Sequence, residues 1–120
     1  NRTVQSMLHA VGLAEHPDRA PVPRSGKWRS FEARLIAERK YCRACGNTKV
    51  NELTGHHVEP FHLAPERELD PTNVEILCSN GPAVHCHRLL GHAGSWRLAN
   101  MRVREDADAV RAMLRRVRGK

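Results

Sequence analysis

The sequence is poor in aromatic side chains, which make up 4% of its 120 residues. A chain of this length and composition has room for one domain with a modest core, so an added staple such as a bound metal is expected. It contains no run of 18 apolar residues and no signal-like segment, which predicts a soluble protein in a reducing, cytoplasmic compartment. Because it begins at Asn1, it is also compatible with a fragment or a processed form of a longer protein.

Only four cysteines are present, and in a reducing compartment they indicate metal ligands before disulfides. Cys42 and Cys45 form the knuckle CRAC, followed by Gly46 where a turn needs a flexible backbone. Cys78 and Cys86 form a second pair with a longer spacer, which still closes at little entropic cost. The spacing predicts one structural zinc held by all four sulfurs. The alternative is a set of buried or redox-active thiols, although the surroundings lack the strand and helix alternation of a thioredoxin-like site.

Charge is distributed unevenly along the chain. Residues 1–23 are neutral, residues 24–49 carry a net charge of +6, residues 50–96 carry −4, and residues 97–120 carry +5. An acidic, histidine-rich centre between two basic flanks favours cation binding in the centre and a polyanion, most plausibly nucleic acid, at the flanks. A solvated surface rich in arginine is the alternative.

Three helices are predicted outside the centre. Helical spacing of apolar residues predicts a short helix over residues 3–12, ended by Gly12, followed by an irregular proline-rich arm over residues 15–26. A second helix has Ser25 as its expected cap and one apolar face made of Trp28, Phe31, Leu35 and Ile36.

The third predicted helix lies near the C-terminus. Its apolar seam is expected to pack on the domain and consists of Val103, Ala107, Val110, Leu114 and Val117. Arg111, Arg115 and Arg118 lie on another face, where phosphate contact is as plausible as simple solvation.

The stretch TGHHVEPFH, residues 54–62, holds three histidines. LTGHHV predicts a short strand running toward Pro60, and NVEILC predicts a second strand entering Cys78. The polar, proline-rich segment between them is expected to be an ordered loop. CHRLLGH then predicts a short helix or turn closed by Gly91, so the order is strand, loop, strand, helix.

These residues resemble the HNH endonucleases of the ββα-metal, or His-Me finger, group. The resemblance covers residues 41–92 and rests on an ordered set: CxxC, HHVEP, TNVEILC and a final CH. The segments RSGKW and GHAGSW are similar, more loosely, to a bacterial and phage subgroup of these enzymes. The resemblance implies an α+β fold with a ββα-metal core at 41–92, an N-terminal helical arm and linker at 1–40, and a basic C-terminal helix at 93–120, all in one compact domain.

The resemblance also implies roles for individual residues. His57 would be the general base that activates water for hydrolysis of DNA, and Asn73 would steady the loop that orients it. His56 and His87 would hold a catalytic divalent ion, with magnesium or manganese expected and nickel or zinc also compatible with histidine ligands. Strand geometry limits how both histidines can face one site. Adjacent side chains on a regular strand point to opposite faces, so His56 and His57 can share a site only near the end of the strand.

Several other residues are weaker candidates. His92 follows His87 by five positions, whereas a ligand on the same helical face would prefer four, the place of Gly91, so its role as a third ligand stays open. Asp70 before PTN is expected to form a turn and His62 to anchor the loop, while Glu66 and Glu68 are possible metal ligands. No role is expected for His9, His16 and His85.

Two other functions remain open as alternatives to a DNA nuclease. One is a zinc-stabilised nucleic-acid-binding module without catalytic activity, and the other is a nuclease that cuts RNA or is directed by a partner protein.

Overall fold

The computed structural model describes residues 2–16, 23–79 and 85–118. In chain order the elements are α1 (Arg2–Ala10), β1 (Leu13–Glu15), α2 (Trp28–Arg39), β2 (Leu53–His57), β3 (Val74–Cys78), a π-helical turn (His87–Gly91), β4 (Leu98–Asn100) and α3 (Val103–Arg118). The strands are short and antiparallel, and the predicted α+β class is confirmed. None of the helices described is long and apolar enough to cross a membrane.

A two-stranded hairpin forms the centre of the domain. β2 and β3 pair antiparallel, with Leu53 opposite Cys78 and His57 opposite Val74, as the apolar runs predicted. Every residue of β3 is buried. The connecting loop is ordered by two 3₁₀ turns, and the predicted turn at Asp70 is confirmed because its carboxylate accepts the Thr72 backbone N–H at 2.9 Å.

Helix α2 packs against this hairpin through its predicted apolar face. Phe31, Leu35 and Ile36 are buried and belong to the same apolar cluster as Ile76 and Leu77 of β3. Each fully buried side chain of this size contributes about 1.5–3 kcal/mol relative to an exposed one. The hairpin and α2 therefore form the apolar core that holds the histidine-bearing strand in place.

The predicted Ser25 cap of α2 is wrong. The helix begins at Trp28, and Lys27 occupies the N-cap without a capping side chain. Ser25 Oγ instead accepts the Lys27 backbone N–H at 3.1 Å, while the Ser25 N–H donates to the carboxylate of Glu68 at 3.1 Å. The bond to Glu68 holds Ser25 against the 58–73 loop, one turn ahead of the helix.

The N-terminal segment reaches across to the other end of the chain. Its predicted helix is α1, and Gly12 follows with a φ of 81°, a left-handed conformation that favours glycine. β1 then pairs antiparallel with β4, with Leu13 opposite Asn100. This second sheet was not predicted, because strands of three residues are too short to show a period. Residues 17–22 of the predicted irregular arm lie outside the described residues.

Helix α3 packs on the domain through only part of its predicted seam. Val103 and Ala107 are fully buried, whereas Val117 is 68% exposed, so the seam leaves the core in the second half of the helix. The first half is also held by charge. The buried Glu75 of β3 forms ion pairs with Arg43 and Arg104, and Arg43 pairs with Asp108 at 2.9 Å.

Candidate functional site

The four cysteines converge into one cluster. Their sulfur atoms all lie within 4.8 Å of one another, and the Sγ atoms of Cys45 and Cys78 are 3.7 Å apart. Four thiolates around a tetrahedral zinc ion, each at about 2.3 Å, stand roughly 3.8 Å from one another. The cluster therefore has the size and donor chemistry of a structural zinc site.

The backbone around the cysteines supports this assignment. The N–H groups of Cys45 and Cys86 point at the sulfurs of Cys42 and Cys78, at 3.5 and 3.4 Å, which stabilises thiolates. The CRAC turn closes through the Gly46 N–H donating to the Cys42 carbonyl at 2.9 Å, with Gly46 at a φ of 81° as the sequence suggested. A hydrogen bond from Cys86 lowers the pKa of the Cys42 thiol to about 4, and burial raises the pKa of Cys78 to about 11. Four crowded sulfurs cannot all ionise without a cation to balance them.

A second cluster consists of three histidines. One ring nitrogen from each of His56, His87 and His92 lies within 4.8 Å of the other two, and the Nε2 atoms of His87 and His92 are 3.2 Å apart. The turn that carries the last two explains the spacing. His87–Gly91 is π-helical, with the His92 N–H donating to the His87 carbonyl at 3.1 Å, so residues five apart share a face. The α-helical preference for four does not apply here.

The hydrogen bonds of these rings leave nitrogen lone pairs available. The Nδ1 of His92 donates to the Leu98 carbonyl at 2.7 Å, because a carbonyl can only accept, and its Nε2 is therefore unprotonated in the neutral ring. His56 Nε2 and His87 Nδ1 are buried and have no hydrogen-bond partner among the described residues. Burial lowers the pKa of all three rings, that of His87 to about 3. The cluster is thus a set of neutral imidazoles, the protonation state that binds metals.

Gly91 makes the close approach of His56 possible. A Cβ at this position would lie 2.9 Å from two atoms of the His56 ring, which is closer than packing permits. The glycine predicted to close the turn therefore also allows β2 and the π turn to bring their histidines together.

His57 lies beside the cluster in a different environment. It is 6% exposed, its ring centroid is 4.6 Å from that of Trp28, and its Nε2 donates to the Glu68 carbonyl at 2.9 Å. Its Nδ1 is therefore the unprotonated nitrogen of the neutral ring. Burial lowers the pKa of His57, and the bond to the Glu68 carbonyl opposes that shift.

The adjacent His56 and His57 can line the same cavity because they lie at the end of the strand. His56 contacts the π turn and His57 contacts α2, as opposite faces require, but His57 is the last residue of β2, and both line one cavity of about 510 Å³. The walls of that cavity also include His87 and His92.

Asn73 fixes the loop that follows His57. Its Oδ1 accepts the Glu59 N–H at 2.8 Å, and its Nδ2 donates to the Glu59 carbonyl at 3.1 Å. The amide thus pairs with both backbone groups of one residue, just after the strand, and holds the chain where it leaves His57. The supporting role that the resemblance implies for Asn73 would act through these contacts.

The cavity residues that were not predicted as site residues include His16, Arg24, Glu32 and Trp96. The ring of His16, for which no role was expected, lies 5.2 Å from that of His92 because β1 carries it there. Arg24 lies over Trp28 and Phe61, and Glu32 ties α2 to β2 by accepting the Gly55 N–H at 2.8 Å. Trp96 packs on His92 at 4.7 Å and is 48% exposed. The only sequence signals were the segments RSGKW and GHAGSW, which contain Arg24 and Trp96.

The remaining candidates lie outside the two clusters. Within the part of the chain that the structure describes, no carboxylate joins the histidines, and the Glu68 carboxylate is bonded to Ser25. His62 contacts His16 at 5.5 Å and so belongs to the loop beside the cavity. His85 packs edge-on against Trp96, and His9 is exposed on α1.

Comparison with known proteins identifies the segment that contains both clusters. Residues 42–92 match the family model described as HNH endonuclease. The matched segment covers less than half of the chain, and over these residues it supports the resemblance to the HNH endonucleases. Searches of the curated proteins and of the solved structures each found no match.

Proposed function

We propose that the protein is a metal-dependent endonuclease that hydrolyses phosphodiester bonds in DNA. One observation carries the proposal: a neutral histidine with one free ring nitrogen, His57, lines the same cavity as a cluster of three neutral imidazoles. Hydrolysis of a phosphodiester needs a base for the attacking water and a cation for the charge that develops on the phosphate and the leaving oxygen. The cavity offers residues for both requirements.

His56, His87 and His92 would hold the catalytic ion. The buried His56 Nε2, which has no hydrogen-bond partner among the described residues, fits this role, because an unpaired buried polar atom costs about 1–3 kcal/mol unless a ligand satisfies it. When bound, the ion supplies a Lewis acid that stabilises the negative charge of the reacting phosphate. An all-imidazole donor set favours manganese, nickel or zinc over magnesium, which prefers oxygen ligands.

His57 would accept the proton of the attacking water at Nδ1. Its lowered pKa keeps the ring neutral and ready to accept at neutral pH. The Glu68 carbonyl holds the ring in one tautomer and stabilises the imidazolium that forms, while Trp28 fixes the ring plane. Asn73 contributes by holding the backbone that leaves the strand and not by touching the reacting atoms.

The four-cysteine cluster would hold a structural zinc ion. Cys78 ends β3 and Cys86 immediately precedes the π turn, so the ion would connect the hairpin to the turn that carries His87 and His92. The zinc is therefore expected to fix the geometry of the catalytic histidines without taking part in the chemistry.

The test is cleavage of supercoiled plasmid and of single-stranded RNA by purified, zinc-loaded protein with magnesium, manganese or nickel. We expect DNA nicking or linearisation that depends on the added ion and is stronger with manganese or nickel than with magnesium. Intact DNA under all of these conditions, with folded and zinc-loaded protein, would reject the proposal. Preferential cleavage of RNA would retain the chemistry but change the substrate.

The alternative is a zinc-stabilised nucleic-acid-binding module without catalysis. Two buried imidazoles and a third that is half-buried weigh against it, because such a module would bear their desolvation cost without a compensating ion. Tight DNA binding that neither cleaves DNA nor responds to divalent ions would favour this alternative.

A further inference from the structure

The second half of helix α3 carries a concentrated positive charge. From Ala109 to Arg118 the helix has four arginines and no acidic residue. Its acidic residues, Glu105, Asp106 and Asp108, lie in the first two turns, where Asp108 pairs with Arg43 and Asp106 accepts a hydrogen bond from Asn100. The positive charge of the second half is therefore not balanced along the helix itself.

Three of these arginines form one stripe. Arg111, Arg115 and Arg118 follow one another at four and three residues, which places them on one helical face, whereas Arg116 is turned about 100° from Arg115. Arg111 and Arg115 also line a groove of about 710 Å³ between α3 and the end of α2. We call Arg111, Arg115 and Arg118 the α3 stripe.

The fold uses the neighbouring arginines but leaves most of this stripe unpaired. Arg104, the second residue of α3, is bonded to Glu75, and Arg39 is bonded to the carbonyls of Val74 and Pro71. In contrast, Arg115 and Arg118 are exposed and form no ion pair with any residue that the structure describes. Stabilisation of the fold thus accounts for the first arginines of the helix and not for the last.

The helix dipole explains only part of the charge. Arginines in the last turn offset a partial charge of about −0.5 at the helix C-terminus, which one side chain suffices to balance. Arg111 lies nearly two turns earlier, and its guanidinium is held 5.0 Å from the ring centre of Tyr41, itself 47% exposed. Arg111 also donates to the Cys42 carbonyl at 3.4 Å, so the fold holds this guanidinium in place beside the groove.

We propose that the α3 stripe is a contact surface for the DNA phosphate backbone, separate from the catalytic cavity. The proposal rests on the proposed function in taking DNA as the polyanion. Guanidinium groups on one face of a rigid helix can each match a phosphate bidentately and so position a backbone strand along that face. The longest extent of the molecule is 47 Å, so the stripe lies within about one and a half turns of a DNA helix from the cavity.

The experiment measures DNA binding as a function of salt in a His57→Ala background, so that the DNA stays intact. Arg115→Gln, Arg118→Gln and the double variant are compared with Arg116→Gln, which removes the same charge from the same turn on a different face. We expect each stripe substitution to lower the slope of log K against log salt by about one, and the double variant to bind roughly tenfold more weakly near 0.1 M salt. Arg116→Gln is expected to retain a slope close to that of the parent.

Equal slopes for the Arg115, Arg118 and Arg116 variants would overturn the proposal, and an acidic protein surface would then be the partner class to test. Absence of DNA binding by the parent protein at low salt would overturn it as well. Because binding is measured without catalysis, a failure to cleave DNA would refute the nuclease proposal while leaving this one standing.

Discussion

The Nε2 atoms of His87 and His92 lie 3.2 Å apart although the two residues are five positions apart in the chain. A regular α-helix would rotate the second ring away, and the π turn between them brings it back. π-helical turns are rare and occur frequently at functional sites. Here the extra residue in the turn converts a weak sequence candidate into a member of the histidine cluster.

His92→Asn tests whether that third imidazole is a ligand. We expect the affinity for manganese to fall at least about tenfold, while zinc content is unchanged because the cysteines are untouched. Titration calorimetry of zinc-loaded protein measures both, with His9→Asn on the exposed face of α1 as the matched control. Unchanged manganese affinity in His92→Asn would remove His92 from the site.

Gly91→Ala tests the contact between β2 and the π turn. The new Cβ would collide with the His56 ring, so we expect a loss of about 1–3 kcal/mol in the free energy of unfolding and a clear loss of manganese binding. Gly26→Ala is the control, since an added Cβ there meets nothing within 4 Å. Wild-type manganese affinity in Gly91→Ala would show that the position of the His56 ring does not limit the site.

The sequence predicted the elements that carry strong local signals. The hairpin followed from two apolar runs ending in His57 and Cys78, and the four-cysteine cluster followed from cysteine spacing. The β1–β4 pair could not be predicted, because each strand has three residues and its partner is more than 80 positions away in the chain. His16 was missed for the same reason, since only that pairing brings it to the cavity.

The outcome at Ser25 shows how tertiary contacts override local preference. A serine ahead of an apolar helical face is a good cap, but the buried Glu68 carboxylate accepts its backbone N–H and draws it away. The π turn was unpredictable for a related reason. The choice between i to i+4 and i to i+5 backbone hydrogen bonds depends on which side chains the turn packs against in the folded protein.

Removing one sulfur tests the zinc cluster. For Cys45→Ser we expect zinc content to fall from about one ion per chain toward zero and the unfolding temperature to drop by at least about 10 °C, because a structural zinc contributes directly to folding free energy. Metal analysis and calorimetry check this, with Thr48→Ser as the control next to the knuckle. Full zinc content in Cys45→Ser would mean that the four sulfurs do not share one ion.

The histidine cluster predicts how stability depends on pH. The folded rings have lowered pKa values, so between the ordinary histidine pKa of about 6.5 and those lower values the unfolded chain binds more protons. When no ion is bound to the histidines, their contribution to the free energy of unfolding is therefore fully present above about pH 6.5. It is lost as the pH drops below that value. The loss is at most about 1.4 kcal/mol per pH unit for each ring.

Denaturant unfolding of wild type and His87→Gln between pH 7.5 and 5 measures this dependence. The variant has one ring fewer, so its stability should fall less steeply with acid by up to about 1.4 kcal/mol per pH unit. Parallel curves for the two proteins would show that His87 does not contribute to the pH dependence.

The most direct test of the account compares wild type with zinc-loaded His57→Ala in manganese-dependent cleavage of supercoiled plasmid, with manganese affinity measured on both. We predict that the variant binds manganese within about twofold of wild type but cleaves about 10²- to 10⁴-fold more slowly, the effect expected for loss of a general base. His9→Ala should cleave like wild type. Equal cleavage by His57→Ala would contradict the assignment of His57 as the base, and so would a loss of cleavage that disappears at saturating manganese.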